Sequence, residues 1–125
     1  MDPRHLQRIK TIQNLFAYSF EYKKSRLPYS DSKTKLVIQY RNKIDELIKM
    51  YAPKYPLKNI AKTDLAILRL SVYDLAIEKK LPHKVVIDEA VILAKELSGE
   101  RSYAFVNAVL GKILTQIAKI RKTDI

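Results

Sequence analysis

An all-α domain is what this sequence predicts, and three observations carry that expectation. Apolar residues recur at helical spacing along most of the chain, and no strand-like alternation is sustained. Glycine occurs only 2 times and proline 5 times in 125 residues, so long segments are free of helix breakers. The strongest segment, residues 63–80 (TDLAILRLSVYDLAIEKK), is apolar around most of its circumference. Leu65, Leu68, Val72, Leu75 and Ala76 make one face, and Ile67, Leu70, Tyr73 and Ile77 widen it. A helix apolar on that many sides packs on more than one of them, which places it centrally. Thr63 or Asp64 is the expected cap, and Lys79 and Lys80 suit the negative end of its dipole.

The remaining elements follow in order. Asp2 and Pro3 make a cap and first-turn pair for a helix over 4–24. Leu6, Ile9, Ile12, Leu15, Phe16 and Phe20 fit its buried stripe, and Arg4, Arg8 and Lys10 fall away from the stripe's centre. Residues 23–35 read as a hinge or loop interrupted by Pro28, with Tyr29 as its anchor or, alternatively, a platform for stacking on a base. A second helix is expected over 32–50, with Leu36, Tyr40, Ile44, Leu47 and Ile48 inward. The run APKYP at 52–56 ends it, and a short turn at 57–61 leads into the central helix. After Pro82 the spacing of Val85, Ile87, Ala90, Val91, Leu93, Ala94 and Leu97 predicts a packed helix stopped by Gly99. The last main helix covers 103–119, with Phe105, Val106, Val109, Leu110, Ile113, Leu114 and Ile117 inward. Ala104 and Ala108 permit close helix approach, and 121–125 form a polar tail. The whole, 1–125, reads as one domain, with a basic N-terminal half (1–50) and a C-terminal half (57–120).

Charge and composition narrow the function. Lys and Arg number 24 against 13 Asp and Glu, a net charge of +11, which favours an anionic partner, most often nucleic acid. Residues 1–62 carry 14 basic and 5 acidic side chains, and 63–125 carry 10 and 8, so a nucleic-acid face should draw mainly on the first half. The absence of cysteine excludes disulfides and thiolate metal sites and is compatible with a reducing cytoplasm, the expected location. No secretory leader and no apolar run of membrane-spanning length is seen.

No catalytic constellation stands out. There is no glycine-rich phosphate loop, no His-Glu-x-x-His and no nucleophile elbow, so neither an enzyme nor a cofactor or metal site is expected. His5 and His83 are not brought together and read as surface residues. Asp88 and Glu89, being adjacent, do not share a helix face. Tyr73 and Phe105 sit at core spacing and read as structural. Asn107, within the apolar run FVNAVL, reads as a buried amide bracketing two helices, with direct ligand contact as the alternative. Tyr103 beside Arg101 and Ser102 reads either as a helix-start anchor or as part of an exposed polar cluster.

The ordered motifs resemble a known pattern. Ile67-Leu68-Arg69-Leu70 with Tyr73-Asp74-Leu75 is similar to the central helix of the NusB family of bacterial transcription antitermination factors. Pro82 with Val86-Ile87-Asp88-Glu89-Ala90-Val91 resembles its next motif, and Phe105-Val106-Asn107-Ala108-Val109-Leu110 its last. The opening, Arg8 before Ile12 and Leu15-Phe16, fits as well. Ala108 stands where free-standing members usually have glycine, a feature similar to the NusB-like domain fused to ribosomal RNA cytosine methyltransferases. The segment between the first helix and Asp45 is short for the family.

The resemblance implies an all-helical fold of two small packed halves and a non-enzymatic role. It implies binding of boxA-like single-stranded RNA in nascent ribosomal-operon transcripts, together with the ribosomal protein NusE, in an RNA polymerase antitermination complex. Some members also use a homodimer contact. Carried onto this chain, the RNA-contacting regions supply Arg4, Arg8, Lys10, Arg101, Ser102 and Tyr103. The NusE surface supplies Asp64, Asp74 and Glu78. Two other classes remain beside this one: an RNA-binding module of ribosomal RNA maturation or modification, and a helical protein-interaction scaffold.

Overall fold

The computed structural model describes residues 2–21, 26–52, 54 and 56–122. Parts of the loop expected at 23–35, of the turn at 52–56 and of the tail lie outside the described residues. Among the described residues every regular element is helical: α1 (Pro3–Glu21), α2 (Ser32–Gln39), α3 (Arg41–Tyr51), a 3-10 turn (Leu57–Asn59), α4 (Lys62–Val72), a π-helical extension of α4 (Tyr73–Glu78), α5 (His83–Leu97), α6 (Glu100–Thr115) and α7 (Ile117–Lys122). The apolar spacing of the sequence thus translates directly into an all-α fold.

The central helix is the hub. Every residue from Asp64 to Ala76 is buried, because α1, α3, α5 and α6 all pack on α4. Its one buried arginine, Arg69, is 2% exposed and forks onto Asp45 of α3, with both nitrogen–oxygen distances at 3.0 Å. Such a bidentate pair offsets much of the desolvation that burial imposes on a guanidinium. α1 runs antiparallel to α4: Arg8 near its start meets Asp74 near the far end of the hub, and Phe20 near its end lies under Lys62 at the hub's start. Neither Thr63 nor Asp64 caps α4. Ala61 takes that position without a side-chain bond. The helix closes at Lys79, whose φ of 62° is left-handed and whose N–H reaches the Asp74 carbonyl.

Several expected faces turn out differently. On α1, Leu6, Phe16 and Phe20 are 44%, 39% and 59% exposed, while Thr11, Asn14 and Ser19 are buried beside Ile12 and Leu15. The inward stripe of α1 is therefore rotated toward polar residues, and each of them is hydrogen-bonded. The expected helix over 32–50 breaks at Tyr40, whose ψ of 14° is outside helical geometry, so that Val37 and Ile38 face inward and Leu36 does not. Asp31 starts α2 by accepting the Thr34 N–H at 3.2 Å. On α5, Val85 and Leu97 are exposed and Val86 is inward. Gly99, at φ 127°, separates α5 from α6, which begins three residues earlier than the apolar pattern suggested.

The largest correction concerns Asn107. The buried face of α6 follows Val106, Val109, Leu110 and Ile113, and Asn107 lies about 100° around the helix from Val106. Its side chain is exposed, as are Ala104 and Ala108. It is no internal bracket. That role belongs to Asn14, which is fully buried. Asn14 donates to the Tyr29 carbonyl and to Thr34 Oγ1, both at 3.0 Å, and accepts the Tyr29 N–H at 2.9 Å, which fixes the 26–31 loop and α2 onto α1.

Candidate nucleic-acid interface

Two clusters mark the ends of the central helix. At its C-terminal end lies a charged network. Asp74 is 1% exposed and accepts from Arg8 at 3.3 Å and from Lys33 at 2.8 Å. Lys33 also donates to both oxygens of Glu78, at 3.1 and 3.0 Å, and lies 5.2 Å from the Tyr73 ring centroid. Burial alone would lower the Lys33 ammonium, but its hydrogen bonds to Asp74 and Glu78 and their charges outweigh burial and hold it above the ordinary lysine value. Burial and the Glu78 charge push the Tyr73 phenol up.

Beside this network His5 ties α1 to α5. Its Nδ1 is hydrogen-bonded to Glu89 and its Nε2 to Glu96 at 2.9 Å. Hydrogen bonds to these two carboxylates raise its imidazole above the usual histidine value. Arg4 and Lys10 remain exposed on α1, and the Lys10 ammonium sits 5.8 Å from the centroid of the half-exposed Tyr29 ring. On the far side of the same loop, Gln7, Thr11 and Thr34 donate to Asp31. Burial would raise the Asp31 carboxyl, but these bonds prevail and hold it below the ordinary aspartate value.

At the N-terminal end of the hub, the first turn of α6 meets the first turn of α4. Ser102 donates to Asp64 Oδ2 at 3.2 Å. Asn59, Ile60, Ala61, Asp64, Arg101, Ser102 and Phe105 line a cavity of about 250 Å³. Arg101 is exposed on its rim. Tyr103 is turned away under Lys95, whose Nζ lies 4.4 Å from its ring centroid.

The sequence-predicted site residues are therefore not brought into one patch. Asp64 and Asp74 are ten residues apart on one helix, about 15 Å along its axis, so Arg8 and Ser102, bonded to one each, sit at opposite ends. Arg8 is engaged by Asp74 instead of standing free for phosphate. Of the three acidic residues expected on a partner surface, Asp64 and Asp74 are 6% and 1% exposed and hold internal bonds. Only Glu78, at 18%, reaches solvent appreciably. Lys33, Asn14 and Asn59 were missed. For Asn14 a signal existed: Thr11, Asn14 and Tyr18 are polar residues at core spacing. Nothing local marks Asn59, which only lines the cavity, or Lys33, whose partners Asp74 and Glu78 lie on a distant element.

Residues 5–115 match the sequence model of the NusB family. This chain belongs to the NusB family. It is 38% identical over 96 residues to the transcription antitermination protein NusB of Clostridium botulinum strain Kyoto, an alignment covering 77% of this chain and 67% of that protein. It is 43% identical over 84 residues to the NusB protein of Agathobacter rectalis, covering 67% and 64%. Among solved structures, T. maritima NusB superposes with a TM-score of 0.74 at 30% identity, covering 92% of each chain. A chain from the structure described as "Crystal Structure of a Plectonemic RNA Supercoil" superposes with a TM-score of 0.77 at 20% identity and shares the fold. Transcription antitermination is the process for which the NusB relatives are named, and the all-α architecture is common to these neighbours. Among the described residues no helix is long and apolar enough to cross a membrane.

Proposed function

We propose that this NusB-family chain acts as a single, non-enzymatic RNA-binding domain of transcription antitermination. In this reading it binds boxA-like single-stranded RNA in nascent ribosomal-operon transcripts together with the ribosomal protein NusE. It then helps load that RNA onto RNA polymerase in the cytoplasm. The observation that carries the reading is the family match across 5–115. The net charge of +11 supports it, since lysines and arginines that neutralise phosphates supply most of the affinity for a nucleic acid.

The basic N-terminal half contributes Arg4 and Lys10 as phosphate contacts, and the turn into α6 contributes Arg101 and Ser102. Arg8 works from within, orienting α1 through Asp74. Glu78, at the edge of the charged network, is the candidate NusE contact, and a homodimer contact of the kind some members use is a competing use of the same protein. The mechanism is recruitment: positive side chains capture the backbone, polar groups select unpaired bases, and no covalent step occurs. The test is titration of matched and scrambled boxA-like RNAs, with and without NusE. Tighter binding of the matched RNA, further tightened by NusE, supports the reading. Equal and weak binding of both RNAs contradicts it.

A further inference from the structure

One side chain holds the start of α1 to the rest of the molecule. Asp2, Pro3, Arg4, Leu6 and Gln7 are exposed, and His5 alone among them turns inward, its side chain 14% exposed. Among the described residues no other side chain of 2–6 forms a hydrogen bond beyond its own helix. From Gln7 onward α1 has separate anchors: Gln7 and Thr11 on Asp31, Arg8 on Asp74, and Asn14 on Tyr29 and Thr34. His5 therefore governs the first turn of α1 and leaves the body of the helix to other contacts.

The form of its contact restricts its protonation state. Glu89 and Glu96 are seven residues apart, close to two turns along one stripe of α5. The imidazole ring bridges them, Nδ1 to Glu89 and Nε2 to Glu96 at 2.9 Å. An ionised carboxylate only accepts hydrogen bonds, so both ring nitrogens must donate. A neutral imidazole has one N–H and can serve only one of the two carboxylates, while its other nitrogen turns a lone pair toward an anionic oxygen. The bridge is complete only in the imidazolium. The remaining charges nearby have other partners or face water. On α5, Asp88 pairs with Lys84, and Lys95 lies over Tyr103. On α1, Asp2 accepts the Arg4 N–H, the Arg4 side chain is exposed, and Arg8 is engaged by Asp74.

We propose that His5, Glu89 and Glu96 form a proton-operated latch, which docks the first turn of α1 on α5 while the imidazole is charged and releases it when the ring loses its proton. Hydrogen bonds to the two carboxylates hold the imidazole above the usual histidine value. The latch is therefore closed below that raised value and opens as pH rises through it. Opening frees only the turn that carries Arg4, because the anchors from Gln7 onward do not involve His5.

The test is a nuclear magnetic resonance titration of the full chain from weakly acid to mildly alkaline pH. Ring carbon shifts of His5 give its midpoint, and cross-helix nuclear Overhauser contacts from its ring protons to the Glu89 and Glu96 methylenes report docking. The contacts should be present on the acid side and lost on the alkaline side, with Cα shifts of residues 8–19 unchanged. Contacts that persist undiminished after the ring has lost its proton overturn the latch. Glu89→Gln with Glu96→Gln, on the exposed rim of the contact, should lower the His5 midpoint. A midpoint unmoved in the folded double variant shows that these carboxylates do not hold the proton and also overturns it. The wild-type titration needs no variant, so it decides the matter even if the double variant fails to fold.

Discussion

Replacing Asn14 by alanine removes three hydrogen bonds from a fully buried side chain: two to the backbone of Tyr29 and one to Thr34 Oγ1. Each bond contributes about 1 kcal/mol net, but Tyr29 is half-exposed and water can replace part of what its backbone loses, so the expected cost is about 2 kcal/mol. For a domain of this size that corresponds to a fall in melting temperature of about 8 °C. The matched control is Asn107→Ala, an exposed position where the change should stay within about 0.5 kcal/mol. Thermal melts followed by circular dichroism compare the two directly, and hydrogen exchange should show amides of the 26–31 loop and α2 opening more readily in Asn14→Ala. A stable Asn14 variant paired with a strongly destabilised Asn107 variant would refute the argument that α6 presents Asn107 outward and that Asn14 is the internal bracket.

Further outcomes follow from the ion pairs and exposed cations. Asp74→Ala leaves Arg8 and Lys33 without their shared buried partner and should cost about 3 kcal/mol, read from urea midpoints; an unchanged midpoint would show that the network contributes nothing. His5, with its imidazole raised by Glu89 and Glu96, stabilises the fold fully below its unfolded value and loses that contribution as pH rises through the higher folded value. The stability gap between wild type and His5→Ala should therefore shrink from weakly acid toward alkaline pH, and a gap independent of pH would contradict it. Asp31 behaves oppositely: its folded carboxyl is depressed, so its contribution is present above the unfolded value and disappears as pH falls through the folded one, which acid titration of Asp31→Asn against wild type measures. Arg4→Ala with Lys10→Ala should reduce RNA affinity and lower the single-strand salt slope by about 0.7 per lost phosphate contact, with helicity preserved. Unchanged affinity and slope would remove the α1 surface from the RNA path.

The fold was legible because burial here follows helical periodicity. The hub, residues 63–80, could be recognised from its apolar circumference alone, and the burial of every residue from Asp64 to Ala76 is the physical meaning of that pattern. The faces of the outer helices were less legible. Leu6, Phe16 and Phe20 carry part of the apolar signal of α1, yet they are exposed, while Thr11 and Asn14 are buried with bonds to Asp31 and Thr34, each 20 positions away. Asn107 was misread for the converse reason: apolar neighbours on both sides say nothing about an azimuth one residue off the buried stripe. At the site, the basic character of Arg4, Lys10 and Arg101 could be seen from composition. The capture of Arg8 by Asp74 could not, because it joins residues 66 positions apart. The Asp64–Ser102 contact likewise spans 38 positions and exists only once α6 has docked against the start of the hub.

The central claim, that this NusB-family chain promotes antitermination by binding boxA-like RNA, is tested most directly by transcription through a terminator with purified RNA polymerase and NusE. The template carries either a boxA-like leader or a scrambled one. The account predicts that adding the chain increases read-through on the matched template and leaves the scrambled template unchanged. Equal read-through on both templates, with the chain folded and NusE present, would contradict it.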